Sequence, residues 1–175
     1  MSTTLQQDRA TAEQSVNAVY KNNTDAEAAI RLLSGNGIPL SVISMIGRSF
    51  ETMTNAQGYY RPAETRLSRS EHGAWSDGIF GAMPGFGFFV FPHLGSVTIL
   101  GPLSGSLSAE IGKTGKDGLR NTFKDIGISA EETKRYETLV QSGSFIVLVH
   151  GFNIEVSLAT EILQATALIE LKVNG

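Results

Sequence analysis

The chain has 175 residues, no cysteine and a formal net charge of -3. The missing cysteine excludes disulfides, thiolate catalysis and cysteine–zinc sites. The slight acidity gives no electrostatic ground for nucleic-acid binding, and the length suffices for one core without covalent or metal staples.

Residues 1–14 are a polar lead without the apolar stretch of a secretory signal, which favours a cytoplasmic address. Residues 15–175 read as a single domain. Ser15 to Tyr20 alternates and predicts a first strand. Thr24-Asp25-Ala26-Glu27 has the spacing of a capping box, in which the Thr24 hydroxyl accepts from the Glu27 amide. The helix it opens carries Ala29, Ile30 and Leu33 and stops at Gly35 and Gly37. Ser41 to Ile46 is apolar on both faces and predicts a central strand.

After a polar stretch comes the unusual part of the chain. From Gly78 to Ala109 there is no Asp, Glu, Lys or Arg. We read residues 73–112 as a glycine-rich hydrophobic insertion. Gly81 and Gly85 are four apart, as are Gly101 and Gly105. On helices this spacing lets two backbones approach closely. Phe86, Phe88, Phe89 and Phe91 supply apolar bulk, and Trp75 suits a membrane interface or a protein contact equally. Pro92 and His93 interrupt the run near its middle, whereas a spanning helix needs roughly 20 uninterrupted apolar residues. A helical hairpin is therefore expected, covered by lipid, by a neighbouring subunit or by the chain's own core. If helix packing between subunits is the answer, Gly101→Leu and Gly105→Leu disrupt assembly.

Leu119 to Ile126 suits a short helix, and Ser129 to Glu132 forms another capping box at the head of a helix closed by Gly143. Ser144 to Val149 is an apolar strand, with His150 expected to cap its end by hydrogen bonding. Asn153 is placed to cap a helix through Leu158 and Ile162. The last strand alternates, with Ile169, Leu171 and Val173 on one side and Glu170 and Lys172 on the other, as on an edge with one wet face. Two β-α-β halves predict an α+β, ferredoxin-like split sheet, with helices on one face and the other free for dimerisation.

Chemical motifs are sparse. Gly112-Lys113-Thr114 ends like a phosphate-binding loop, but Leu107 stands where the first glycine is needed. His72, His93 and His150 lack metal-ligand spacing, and Ser104 and Ser106 lack a nucleophile-elbow context. No cofactor and no catalytic pair is expected.

Gly58-Tyr59-Tyr60, Gly73-Ala74-Trp75, Gly78-Ile79-Phe80-Gly81, Phe88 to Pro92, Gly101-Pro102-Leu103 and Phe145 to Gly151 follow one another in an order that resembles a bacterial general-stress-protein family. That family carries a glycine-rich hydrophobic insertion and is often labelled a domain of unknown function. The resemblance implies a ferredoxin-like core, a loose link to stress and no catalytic residues. It covers roughly residues 24–165. Here Glu110, Lys113, Lys116 and Asp117 end the second apolar arm earlier than in similar proteins. The functional expectation is a non-enzymatic homo-oligomer that self-assembles through hairpin and sheet, with docking on the inner membrane surface as a further possibility. The alternative is a small-ligand sensor with a site at a subunit cleft.

Overall fold

The computed structural model describes residues 13–48, 78–91, 94–114 and 118–174. Strand β1 (Glu13–Tyr20) leads into helix α1 (Asn23–Gly35), and strand β2 (Ile43–Arg48) follows a short 3-10 turn. Helix α2 (Gly78–Ala82), strands β3 (Phe86–Phe91) and β4 (Gly95–Leu100), and helices α3 (Pro102–Thr114) and α4 (Gly118–Asp125) come next. The chain ends with helix α5 (Ala130–Gln141), strand β5 (Phe145–Phe152), helix α6 (Asn153–Gln164) and strand β6 (Glu170–Asn174). The architecture is α+β. Among the described residues six strands form one antiparallel sheet in the order β3-β4-β2-β5-β1-β6.

Residue alternation along the strands builds two cores from one sheet. Val16, Ala18 and Tyr20 of β1, with Val147 and Val149 of β5, face α1 and α6, where Ile30, Leu33, Val156 and Leu163 cover them. Val19, Ile46, Ile146 and Leu148 point the other way, against Leu103 and Leu107 of α3, Phe123 of α4 and Tyr136 and Val140 of α5. The expectation of a sheet face left free for dimerisation is thus corrected: α3, α4 and α5 cover it.

The second correction concerns the apolar insertion. Its phenylalanine-rich part is not helical. Phe86–Phe91 and Gly95–Leu100 pair in antiparallel register, from Phe86 opposite Leu100 to Phe91 opposite Gly95. Glycine spacing signals close packing only on a helix, and aromatic and β-branched residues favour a pleated surface. Phe89, Val97 and Ile99 are fully buried in the second core, beside Phe91 and the α3 leucines. For these residues the cover is the chain itself.

Two helix starts also differ from expectation. Asn22, not Thr24, caps α1, its Oδ1 accepting from the Asp25 amide at 2.8 Å. Asn153 is the first residue of α6 rather than its cap, and the Glu155 carboxylate accepts from the Phe152 amide at 3.4 Å. Ser129 caps α5 as its sequence predicts, accepting from the Glu132 amide at 3.2 Å.

Candidate functional site

The glycines singled out for assembly serve different purposes. Gly85 and Gly101 have φ of +89° each, a conformation that side chains disfavour. The Gly101 amide donates to the Gly85 carbonyl at 3.1 Å, tying the start of β3 to the end of β4. A Cβ on Gly101 would sit 2.1 Å from the Ile43 carbonyl oxygen, and one on Gly85 would sit 2.8 Å from the Gly101 carbonyl oxygen. The close approach is real, but it joins strands of one chain. Gly105 is exposed on α3 with nothing within 4 Å of an added Cβ, and Gly81 is exposed on α2. Neither G-x-x-x-G pair occupies one helix face, because Gly85 and Gly101 lie outside the helices. Phe86 is half-buried against the first core, and Phe89 and Phe91 lie in the second. Trp75 falls outside the described residues, as does the side chain of Phe88 on β3.

The surface that the glycine spacing did not mark lies at the other end of the sheet. β6 is the terminal strand there, paired only to β1 among the described residues. Leu171 packs against the first core, and Val173 shares its face. Val173 is nonetheless 49% exposed, and Ile169, just before the strand, is 55% exposed. Ile154 (75% exposed) and Leu158, one turn apart on α6, add apolar surface on the same side of the sheet. Single exposed apolar residues need no explanation, but Ile169 and Val173 leave apolar surface uncovered on and beside the terminal strand, the kind of edge that other proteins cover or charge.

The opposite face of β6 is charged and held in place. Glu132 on α5 accepts from Arg135 at 2.9 Å and pairs with Lys172 at 2.8 Å, while Arg135 also pairs with Glu170. Burial pushes the Glu132 carboxyl upward, but its bonds to Lys172 and Arg135 outweigh this and leave it below the usual carboxylate range. The Arg135 guanidinium lies 5.2 Å above the Tyr136 ring. Below it Asn17 donates to the Tyr136 hydroxyl at 3.2 Å, and burial pushes that phenol up to about 12. This network fixes α5 to the β6 edge.

A third feature is a cavity of about 200 Å³ under α3 and α4. Ser44, Leu148 and His150 form its floor on β2 and β5; Pro102, Leu103 and Ser106 come from α3, and Thr122, Asp125 and Ile126 from the end of α4. Ser44 accepts the Leu103 amide at 3.1 Å and so caps α3 from a neighbouring strand. Half-buried His150 stands opposite Ser15 of β1, whose hydroxyl donates to the Ile126 carbonyl at 3.0 Å. Of these residues Ser106, the Pro102-Leu103 pair and His150 attract notice in the sequence, and His150, expected to cap the end of its strand, instead lies within β5, which runs on to Phe152. Thr122 and Asp125 carry no sequence signal, because the cavity joins three distant segments.

No helix among the described residues is long and apolar enough to cross a membrane, and no described cluster of His, Asp and Glu fits a metal ion. No family model matches the chain, and comparisons with curated proteins and with solved structures find no match.

Proposed function

We propose that this chain is a cytoplasmic, non-enzymatic, self-associating module that dimerises through β6. One observation carries the reading. The segment Ile169-Glu170-Leu171-Lys172-Val173 is complementary to itself when two copies run antiparallel about Leu171. Ile169 then faces the partner's Val173, Glu170 faces the partner's Lys172, and the two Leu171 residues meet. Both exposed apolar residues become covered and every facing charge is opposite. Cross-strand pairs of these kinds contribute roughly 0.2–1 kcal/mol each. A twofold interface of this sort is closed, so it ends at a dimer. The α6 residues Ile154 and Leu158 would extend the apolar contact on one side of the joined sheets.

The order β2-β5-β1-β6, with α1 and α6 as the crossovers, supports a ferredoxin-like core to which β3 and β4 add an edge. The resemblance to the stress-protein family supports a role in stress without naming a partner. Assembly thus moves from the apolar insertion to the opposite edge of the sheet.

Light scattering on the purified chain tests this. We expect a dimer, weakened by Ile169→Lys and by Val173→Asp, both at exposed positions. Combining the two changes sets each introduced lysine opposite an introduced aspartate of the other copy, twice per dimer, and regains dimer relative to either single change. A monomeric parent, or single variants that dimerise as the parent does, would refute it. Sedimentation with anionic vesicles separates off the membrane reading, which predicts binding by the parent chain.

A further inference from the structure

We infer that Glu132 and Arg135 are positioning residues for the β6 interface, holding Lys172 and Glu170 so that two copies close a ring of eight alternating charges. The inference rests on dimerisation through β6 and names what makes that edge prefer a second copy of this chain. Neither residue lies on β6. Both lie on α5, three positions apart and so neighbours on one helix face. One Glu132 carboxylate oxygen accepts from Arg135 at 2.9 Å, and the other pairs with the Lys172 ammonium at 2.8 Å. Arg135 divides its guanidinium fork in the same way, one nitrogen to Glu132 and one to Glu170. The four charges thus make a neutral arm, Lys172–Glu132–Arg135–Glu170, that begins and ends on β6. The Glu132 side chain is only 16% exposed, whereas Lys172 is 46% and Glu170 35% exposed. The centre of the arm is enclosed and its two ends are open.

In the antiparallel pairing about Leu171 the two arms join end to end. Residues facing each other across such a pair share a sheet face, so both arms lie on the α5 side. Glu170 meets the partner's Lys172, and Lys172 meets the partner's Glu170. Each arm already links its own two ends, so these two contacts close the ring, and every charge in it has an opposite charge on either side. An exposed pair by itself gains little, because ordering two long side chains offsets the attraction. Here α5 orders both side chains within each subunit before the copies meet, which lowers the cost of association. The same ordering gives selectivity. A strand with its charges in the reverse order would set a lysine against Lys172 and a glutamate against Glu170, and neither could swing away without breaking its bond to α5.

The test is the dimer dissociation constant of the full chain, measured by sedimentation equilibrium at about 0.1 M and about 1 M salt, where screening lengths are roughly 10 Å and 3 Å. Glu132→Gln and Arg135→Gln are the variants. Glu27→Gln is the control, since it removes the same charge from an exposed pair with Arg31 on α1. At the lower salt each α5 variant should weaken the dimer about fivefold, and the control should not. At the higher salt the loss should shrink below about twofold, which a merely structural role of α5 would not do. Arg135→Lys keeps the charge without the fork and should fall between parent and Arg135→Gln. Unchanged affinity in both α5 variants overturns the inference and leaves the β6 dimer standing. So does a dimer tightened by Glu132→Gln, as if the intrachain pairs competed with the interface. A loss of equal size at both salt concentrations, or in the control as well, also overturns it. A monomeric parent overturns the inference and the dimer together.

Discussion

Substituting alanine at Gly101 and at Gly105 separates two accounts of the same four-residue spacing. At Gly101 the added Cβ meets the Ile43 carbonyl oxygen at 2.1 Å, the Ser44 Cα at 2.8 Å and the Ile43 carbonyl carbon at 3.0 Å. All three are backbone atoms of β2, and Ile43 is paired with Val149 of the central strand β5. None can swing aside as a side chain would. Relief requires moving β2 or the start of α3, which puts the Leu103–Ser44 and Gly101–Gly85 bonds at risk. The positive φ alone costs about 1–2 kcal/mol for a residue with a Cβ. With the backbone clash we expect a loss of about 3–5 kcal/mol, a large share of the roughly 5–15 kcal/mol that holds a protein folded. At Gly105, exposed on α3, alanine meets nothing and improves the helix by about 0.5–1 kcal/mol. Urea and thermal unfolding of both variants are the assays, with the melting temperature expected to fall by roughly 8–15 °C for the first and to rise slightly for the second. Helix packing through both glycines predicts that the two variants suffer alike. A loss below about 1 kcal/mol at Gly101, or a comparable loss at Gly105, would refute the intrachain account.

Ser44→Ala removes the acceptor for a buried amide and should cost about 1–2 kcal/mol in urea unfolding; an unchanged midpoint would mean that Leu103 finds another partner. The raised Tyr136 phenol should make the fold alkali-sensitive. The unfolded tyrosine loses its proton near pH 10 and the folded one near pH 12, so stability falls as pH rises through that window. Tyr136→Phe should flatten this slope, and an identical slope would contradict the assignment. Glu132 runs in the opposite sense. Its lowered carboxyl contributes stability above the unfolded pKa that is lost as pH falls through the folded value. Glu132→Gln should therefore be less stable than the parent at neutral pH and match it in strong acid, as denaturant midpoints against pH will show.

How much of this was legible in the sequence depends on whether neighbouring signals agreed. The run Ser144 to Val149 and the cap at Ser129 are short-range and unopposed; the cap appears as read, and the strand appears but continues through His150 and Gly151 to Phe152. The alternation of the last strand placed it at an edge, where it lies. In Phe86 to Leu100 two signals compete. Glycine spacing argues for helices, while the aromatic and β-branched content argues for strands, and a continuous apolar run has no period to arbitrate. Asn22 and Thr24 are both good caps two residues apart, and local sequence does not rank them. The covered second face was not legible because α3, α4 and α5 reach it only through tertiary packing. The cavity was hidden for the same reason, although Ser44 in an apolar strand is a trace of it. The complementarity of Ile169 to Val173 was visible in the letters, yet its wet-face alternation explained the strand without a partner.

Because the chain contains no cysteine, one introduced thiol reports on the edge-strand interface directly. In the antiparallel pairing about Leu171, that residue meets its own copy, and facing Cβ atoms at about 4.5–5.5 Å lie near the span a disulfide bridges. Under mild oxidation Leu171→Cys should form a covalent dimer rapidly, while Gly105→Cys on the exposed face of α3 should not. Cross-linking of Leu171→Cys no faster than that of Gly105→Cys would contradict dimerisation through β6.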